Sequence, residues 1–284
     1  MNQLFILFQH LVPQHALSRL VGWLAHSEIP WIRRSFIKLF ARQFDVNMSE
    51  AAEPDLDAYE SFNAFFTRAL ADGARPLAEE PDALLCPADG AVSQIGDIGA
   101  GSIFQAKGHY YSCEELLGDT ERAKQFHNGS FATIYLSPRD YHRVHMPLAG
   151  ELAAQTYIPG KLFSVNQVTA ENVERLFARN ERLVCYFDTP AGPMAMVLVG
   201  AMIVAGISTV WSGQVAPPTK DPKTTDFRHA PPGVKLGRGE EMGRFLLGST
   251  VILLFPENTV EWEPKFHEGS ATRMGEKLGI LKAG

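Results

Sequence analysis

Near its C-terminal end the chain carries Leu247-Gly248-Ser249-Thr250, directly ahead of an apolar run to Phe255. Glycine has no Cβ, so its peptide adopts strained geometry and can be approached closely. The serine sets a hydroxyl beside that same peptide. Once a base removes its proton, the Ser249 oxygen can attack the Gly248 carbonyl and shift the acyl group from nitrogen to oxygen. β-Elimination of the ester and hydrolysis of the product would leave a ketone, a pyruvoyl group, at the new N-terminus. Gly-Ser occurs four times, at 101–102, 129–130, 248–249 and 269–270. The pair alone therefore reads equally well as a turn before a strand, and its flanks matter more.

A base is available in two other motifs. Tyr141-His142-Arg143-Val144-His145-Met146-Pro147 follows Ser137-Pro138-Arg139-Asp140 and a predicted strand. Histidines three apart suit a metal on a helix, but in extended backbone they point to opposite faces. No other Cys or His cluster offers a zinc set. Structural and acid/base roles both stay open for these histidines. Imidazole titrates near neutrality, at about 6.5, so it can take and return a proton there. Cys86-Pro87-Ala88-Asp89-Gly90 is an ordinary Asp-Gly turn signal. Alternatively, Asp89 holds a histidine in its basic tautomer and completes a charge relay with the serine.

The elements that must position these groups fall into two parts. The 284 residues are 45% hydrophobic and 20% charged, a globular profile with material for a sizeable core. Disordered, collagenous and disulfide-scaffold classes are excluded, and the length fits one large domain or two smaller ones. Three cysteines without CxxC spacing, Cys86, Cys113 and Cys185, point to buried thiols in a reducing compartment. Net charge is −6, which argues against a nucleic-acid footprint. The charge is uneven: residues 1–44 hold five basic residues against Glu28, a net of +4, and the remainder is −10. Met194–Ile207, the longest near-apolar run, falls short of the ~18–20 residues that span a bilayer. The first residues lack a positive n-region and an A-x-A-like site, so no signal peptide is expected.

Residues 1–44 read as two or three short helices, with Pro13 and Pro30 at starts or breaks. Leu17, Leu20, Val21 and Leu24 share one helical face, and Ile32, Phe36, Leu39 and Gln43 follow a similar line. Arg34, Lys38 and Arg42 repeat every four residues. Such helices either pack on the body with a solvated basic face, or lie in a membrane interface with Trp23 and Trp31 at headgroup level. Residues 45–58 look like an acidic linker and Ser61–Leu70 like a helix. From residue 84 the pattern is mostly β, strongest at Phe131–Leu136, Leu183–Phe187, Met194–Val204 and Thr250–Phe255. Val168–Ala178 reads as a helix and 212–240, with five prolines, as a long loop. The fold class expected is α+β, with N-terminal amphipathic helices ahead of a β-rich catalytic domain.

Taken together, the chain resembles the prokaryotic phosphatidylserine decarboxylases, a pyruvoyl-dependent family made as self-cleaving proenzymes. The resemblance runs along almost the whole chain. It rests on Phe65-Phe66-x-Arg68 with Arg75-Pro76, Pro87-Ala88-Asp89-Gly90, Gln105-x-Lys107-Gly108 with Tyr111-Ser112, and Tyr141-His142-Arg143-Val144-His145. It continues through Pro159-Gly160-x-Leu162-x-Ser164-Val165-Asn166 and Gly239-x-Glu241-x-Gly243-x-Phe245 to Leu247-Gly248-Ser249-Thr250.

The resemblance implies that Asp89, His145 and Ser249 form the relay for cleavage between Gly248 and Ser249. Ser249 then becomes the pyruvoyl cofactor, and no metal is required. His142 would assist decarboxylation, and Ser164 and Asn166 would contact the headgroup, although Ser164-Val165-Asn166 also reads as a hydrogen-bonded turn. The implied reaction turns phosphatidylserine into phosphatidylethanolamine and CO₂ through a Schiff base, the iminium and adjacent carbonyl accepting the electron pair. The expected organisation is a membrane-associating segment 1–44 and a catalytic domain 45–284, cut into chains 1–248 and 249–284. Expected partners are the lipid and its own two chains, with a homodimer as one option and no nucleic acid. The expected location is the cytoplasmic face of the cell membrane, held peripherally. Rival readings are a serine hydrolase, which would lack a G-x-S-x-G elbow here, a non-enzymatic lipid binder, and a pyruvoyl decarboxylase of soluble amino acids.

Overall fold

The computed structural model describes residues 2–202, 206–215, 221–229, 232–246 and 249–282. Helices α1 (Asn2–Leu11), α2 (Gln14–Ala25) and α3 (Pro30–Gln43) lead the chain, with Pro30 at the start of α3 where its missing N–H costs nothing. A short α4 (Phe62–Phe66) follows, N-capped by the Ser61 side chain. The β-rich remainder confirms an α+β fold.

The strands of its two site-bearing sheets are β1 (Gly90–Asp97), β2 (Ser130–Leu136), β3 (Arg143–His145), β4 (Gly150–Ile158), β5 (Arg182–Thr189) and β6 (Gly192–Gly200). There follow β7 (Ile207–Thr209), β8 (Gly213–Gln214), β9 (Lys223–Asp226), β10 (Lys235–Leu236), β11 (Glu241–Phe245), β12 (Ser249–Phe255) and β13 (Ala271–Thr272). Nine form one sheet in the order β9-β4-β5-β6-β12-β2-β1-β13, with β10 also paired to β4; a second sheet runs β8-β7-β11-β3. Every residue of β12 is buried. Its Val251 and Leu253 join one apolar cluster and Ile252 and Leu254 the other, so both faces of the sheet are covered. That is why the run reads as continuously apolar rather than alternating.

Helix α3 packs Ile37, Phe36 and Phe40 against α4 in the usual way, but α1 and α2 reverse the amphipathic arrangement. Toward the body they turn Gln9, Gln14, Ser18, Gly22 and Ala25, all buried. Gln9 accepts from the Ser164 amide (2.7 Å) and donates to Thr169 Oγ1 (3.2 Å), while Gln14 accepts from the Leu162 amide (2.8 Å). Many large apolar residues point out: Leu4, Leu7, Phe8 and Leu11 along one stripe of α1, then Leu20 and Trp23 on α2 and Trp31 and Leu39 on α3. Leu11 is 75% exposed and Trp31 73%. A contiguous apolar face of this kind marks an interaction surface. No helix among the described residues is long and apolar enough to cross a membrane.

Four local expectations change. The helix expected at 168–178 is two short helices, Gln167–Ala170 and Leu176–Arg179, broken where Arg175 takes φ 53°. The buried Gln105 side chain fills the break, donating to the Ala170 and Val173 carbonyls (2.7 and 2.8 Å) and accepting from the Leu176 amide (2.7 Å). The 45–58 segment is a packed connection: Val46 and Ala51 are buried and Ala51 bridges to Leu70. The helix expected over 61–70 ends at Phe66. The 212–240 region carries the short strands β8, β9 and β10; its residues 216–220 and 230–231, like 203–204 of the expected 194–204 strand, lie outside the described residues.

Gln105→Leu leaves three buried backbone groups unpaired. It should cost about 3 kcal/mol, seen as a lower urea midpoint with an unchanged slope.

Candidate active site

Ser249 opens β12 at one edge of the large sheet, facing Gly200 at the end of β6 and Leu136 at the end of β2. β1 starts at Gly90 against that same end of β2, where Ala91 faces Tyr135. Asp89 therefore sits two strands from Ser249, roughly 10 Å away at the usual interstrand spacing. A Cβ at Gly90 would lie 2.2 Å from the Tyr135 carbonyl oxygen, so glycine is needed for Asp89 to reach this edge. Ser249 is fully buried and its Oγ has no hydrogen-bond partner among the described residues. An orphaned hydroxyl in a dry site costs stability, about 1–3 kcal/mol, and is a recurrent mark of chemistry. Leu247 and Gly248 lie outside the described residues.

The loop leaving β2 carries the histidines back over this edge. β3 pairs with β11, and Arg143 locks the two together through Glu241 (2.8 Å) and reaches the Thr67 carbonyl behind α4 (2.9 Å). The Phe245 amide donates to the His142 carbonyl (3.0 Å), so β11 runs past His142 just before the chain reaches Ser249. His142 is fully buried with its ring 4.0 Å from that of Phe66. Its Nδ1–H donates to the Asp140 carbonyl (2.9 Å), and its Nε2 has no partner. A carbonyl only accepts, so Nε2 carries a bare lone pair. Burial pushes the His142 pKa down to about 3, with the Arg68 charge adding to the effect and the Asp140 carbonyl opposing it.

His145 faces the other way, as extended backbone requires. Its Nδ1–H donates to the Gly239 carbonyl (2.8 Å) and its Nε2 accepts from the Tyr141 hydroxyl (3.0 Å). Burial lowers its pKa, whereas the charges of Glu241 and Asp89 raise it. The Asp89 carboxylate makes no hydrogen bond to His145. It is gripped by Arg75 (Nε–Oδ1 2.9 Å) and accepts from the Met274 amide (2.8 Å). Arg75 also holds Glu50 (2.7 Å), and this contact, foremost among the causes, lowers the Glu50 pKa. Asp89, Arg75 and Glu50 line a polar cleft of about 320 Å³ with Arg68, Arg139 and Tyr141; His145, His142 and Ser249 are not on its wall.

On the far side of Ser249, the buried Asn180 amide donates to the Phe163 and Gly200 carbonyls (2.8 and 2.9 Å). The segment holding Ser164 and Asn166 is thereby tied to the strand that faces Ser249. Asn166 Oδ1 caps the helix that follows, accepting from the Thr169 amide and hydroxyl (both 3.0 Å), and Ser164 Oγ accepts from the Asn166 amide at 3.5 Å. The three thiols are buried and unpaired.

The sequence matches known proteins along nearly its whole length. A family model described as phosphatidylserine decarboxylase matches residues 62–280, and a second, described as PSD, matches 4–45. The phosphatidylserine decarboxylase proenzyme of Ectopseudomonas mendocina is 60% identical over 280 residues, 98% of each chain. That of Pseudomonas entomophila is 60% identical over 281 residues, 98% of each chain. That of Alcanivorax borkumensis is 59% identical, covering 98% of this chain and 96% of its own. The chain belongs to the phosphatidylserine decarboxylase family. Membership makes it a decarboxylase, a lyase.

Within this family member, sequence reasoning passed over Arg75, Tyr141 and Asn180 as site components. Arg75 and Tyr141 stood inside the quoted motifs, but only the fold shows whom they touch. Asn180 lies outside those motifs and carried no local signal.

Neutral burial of His142 makes the fold acid-sensitive. An unfolded chain protonates this histidine near 6.5 and the folded one only near 3. Its stabilising contribution is complete above 6.5 and declines as pH falls toward about 3. Between pH 7 and pH 5 the folded state should lose ~2 kcal/mol from this residue. Urea titrations at the two pH values should show that loss, and His142→Gln should flatten it by that amount; an equal slope in the variant would contradict the assignment.

Proposed function

We propose that this chain is a proenzyme that cuts itself between Gly248 and Ser249 into chains 1–248 and 249–284. The second chain then begins with a pyruvoyl group made from Ser249, and the enzyme decarboxylates phosphatidylserine to phosphatidylethanolamine in phospholipid synthesis. The observation that carries this reading is the buried, unpartnered Ser249 hydroxyl at the head of a central strand. A hydroxyl without a partner is free to attack the preceding carbonyl. Complete burial keeps the serine's position dry, which suits a small keto group formed there.

For cleavage, His145 is the base. Its Nδ1–H is fixed on Gly239, so Nε2 is the basic atom, and it takes the Ser249 proton after parting from Tyr141. Asp89 acts through space: its charge favours the imidazolium, and Arg75 holds the carboxylate in place. For decarboxylation, a pyruvoyl group supplies an electron sink for the carbanion left when CO₂ departs. The lipid's ammonium must first lose a proton. His142 Nε2 is a bare lone pair shielded from water and held neutral by burial; the substrate carboxylate arriving beside it offsets that burial and lets the imidazole carry the proton delivered to Cα. Ser164 and Asn166 are the proposed headgroup contacts, with the Asn166 amide N–H₂ left over from capping.

A lipid substrate is supported by the path from α1 to the serine. The outward stripe of α1 is backed by Gln9, which holds Ser164; Phe163 is clamped by Asn180, and Asn180 bonds Gly200 beside Ser249. The helical segment 1–44 therefore serves as a peripheral membrane foot for the catalytic domain 45–284, on the cytoplasmic face, where anionic lipid attracts basic segments. A homodimer is compatible with this arrangement.

Intact mass of the purified protein should show two chains meeting at 248/249, the smaller one starting with pyruvoyl. Ser249→Ala, His145→Ala and Asp89→Ala should remain whole; an active, uncut preparation would sink the mechanism. His142→Ala should be cut normally yet turn over about 100-fold more slowly or worse. Leu7→Gln/Phe8→Gln/Trp31→Gln should fall off phosphatidylcholine vesicles in co-sedimentation, and undiminished binding would place the membrane contact elsewhere.

A further inference from the structure

A second concave site lies at the seam between α1–α2 and the catalytic body. It encloses about 390 Å³, within the range of ~300–1,000 Å³ typical of small-ligand pockets. Its lining includes His10, His15, Arg19, Lys161 and Arg179, and not one acidic residue. In a chain with more acids than bases, such a grouping is not what average composition provides.

The two arginines and the lysine of this group are also short of partners. On α3, Arg34 and Lys38 both lean on Asp57 (3.5 and 2.9 Å), so much of the basic stripe read from the sequence is already neutralised. Arg19 and Lys161 have no anionic partner among the described residues. Arg179 lies over the Phe163 ring, 5.1 Å from its centroid, and otherwise reaches the Glu174 carbonyl at 3.3 Å. His15 contacts the Gly160 carbonyl at 3.1 Å. Glu181, which is not on the cavity wall, is buried and accepts from the Tyr157 hydroxyl at 2.9 Å, and burial raises its pKa. Like charges gathered without a counter-anion repel, and a bound anion relieves that cost. The first turn of α2 opens on the same space, which adds to the positive field.

We propose that this cavity binds the phosphate of an anionic phospholipid at the bilayer surface, as a lipid site separate from Ser249. The occupant follows from charge and position together. His10 and Val12 of the cavity wall flank Leu11, the last residue of the outward apolar stripe of α1. A group seated there therefore lies at headgroup depth when that stripe meets acyl chains. It is not the headgroup under reaction, whose phosphate stands only a few bonds from the reacting carbon. The Asn180 clamp and β6 stand between Arg179 and Ser249. Arg19 comes from the helical foot, Lys161 and Arg179 from the body, so a bound phosphate bridges the two and sets the height of the body over the membrane. The proposal rests on the membrane reading above and not on the pyruvoyl chemistry.

The test is co-sedimentation of the full chain with phosphatidylcholine vesicles, with and without phosphatidylglycerol. Wild type should bind the mixed vesicles more tightly. Arg19→Glu/Lys161→Glu should lose that gain, about tenfold or more, and still bind pure phosphatidylcholine like wild type. Lys38→Glu/Arg42→Glu, with the same charge change on α3, should keep most of the gain. Equal losses in both reversals would mean diffuse attraction and overturn the site, as would a wild type indifferent to phosphatidylglycerol. Inorganic phosphate that raises the melting temperature of wild type but not of the Arg19/Lys161 variant, with no vesicle gain, would reassign the cavity to free phosphate. Arg19→Gln/Lys161→Gln, checked by melting temperature, guards against misfolding and should lose the gain several-fold. Intact mass, read separately, reports on self-cleavage whether or not this site holds.

Discussion

The register of β12 between β6 and β2 is the constraint on which the site depends. It sets Ser249 as the first paired residue of a strand buried on both faces, beside Gly200 and Leu136. The serine hydroxyl is thus cut off from water while its own strand takes care of the backbone. A shift by one residue would turn Ser249 to the opposite face and exchange the two apolar clusters that β12 feeds. The same edge receives the Asp89 turn, the histidine loop and, through Asn180, the segment that meets α1.

Polarity within the helical foot follows from what it touches. Buried amides of Gln9 and Gln14 satisfy backbone N–H groups at Leu162 and Ser164 that no strand pairs. Leucine in their place would leave those donors unmet in a dry seam. With amides inward, the apolar side chains have nowhere to go but outward, and a lipid interface is the surroundings that suit them.

Electrostatics separates the two histidines although they are three residues apart. His142 loses water on all sides and stays neutral with Nε2 bare. His145 is also lowered by burial, but it lies within the field of Asp89 and Glu241 and keeps Tyr141 on Nε2. Arg75 bridges Asp89 and Glu50 with one guanidinium, and its hydrogen bond is the main cause that lowers the Glu50 pKa. One short motif thus yields a water-free acceptor and a base under a carboxylate's influence.

Much of this was legible from residue order. Runs such as 131–136 and 250–255 declare strands because β-branched and aromatic side chains crowd them, and the motifs around Asp89, His142, His145 and Ser249 mark the chemistry. The helix break at Arg175 was not legible, because its carbonyls are satisfied by Gln105, a residue distant in sequence. Nor were the partners of Asp89 and His145. Local pattern records which groups are present; hydrogen bonds between distant segments depend on sheet register and loop packing. The sequence alone determined the class of fold, the strand material and the reactive residue types. Only the tertiary structure decided that Asp89 faces Arg75, that α1 and α2 turn their apolar side outward, and that Ser249 stands dry and unpaired, since each depends on contacts across the chain that no local period encodes.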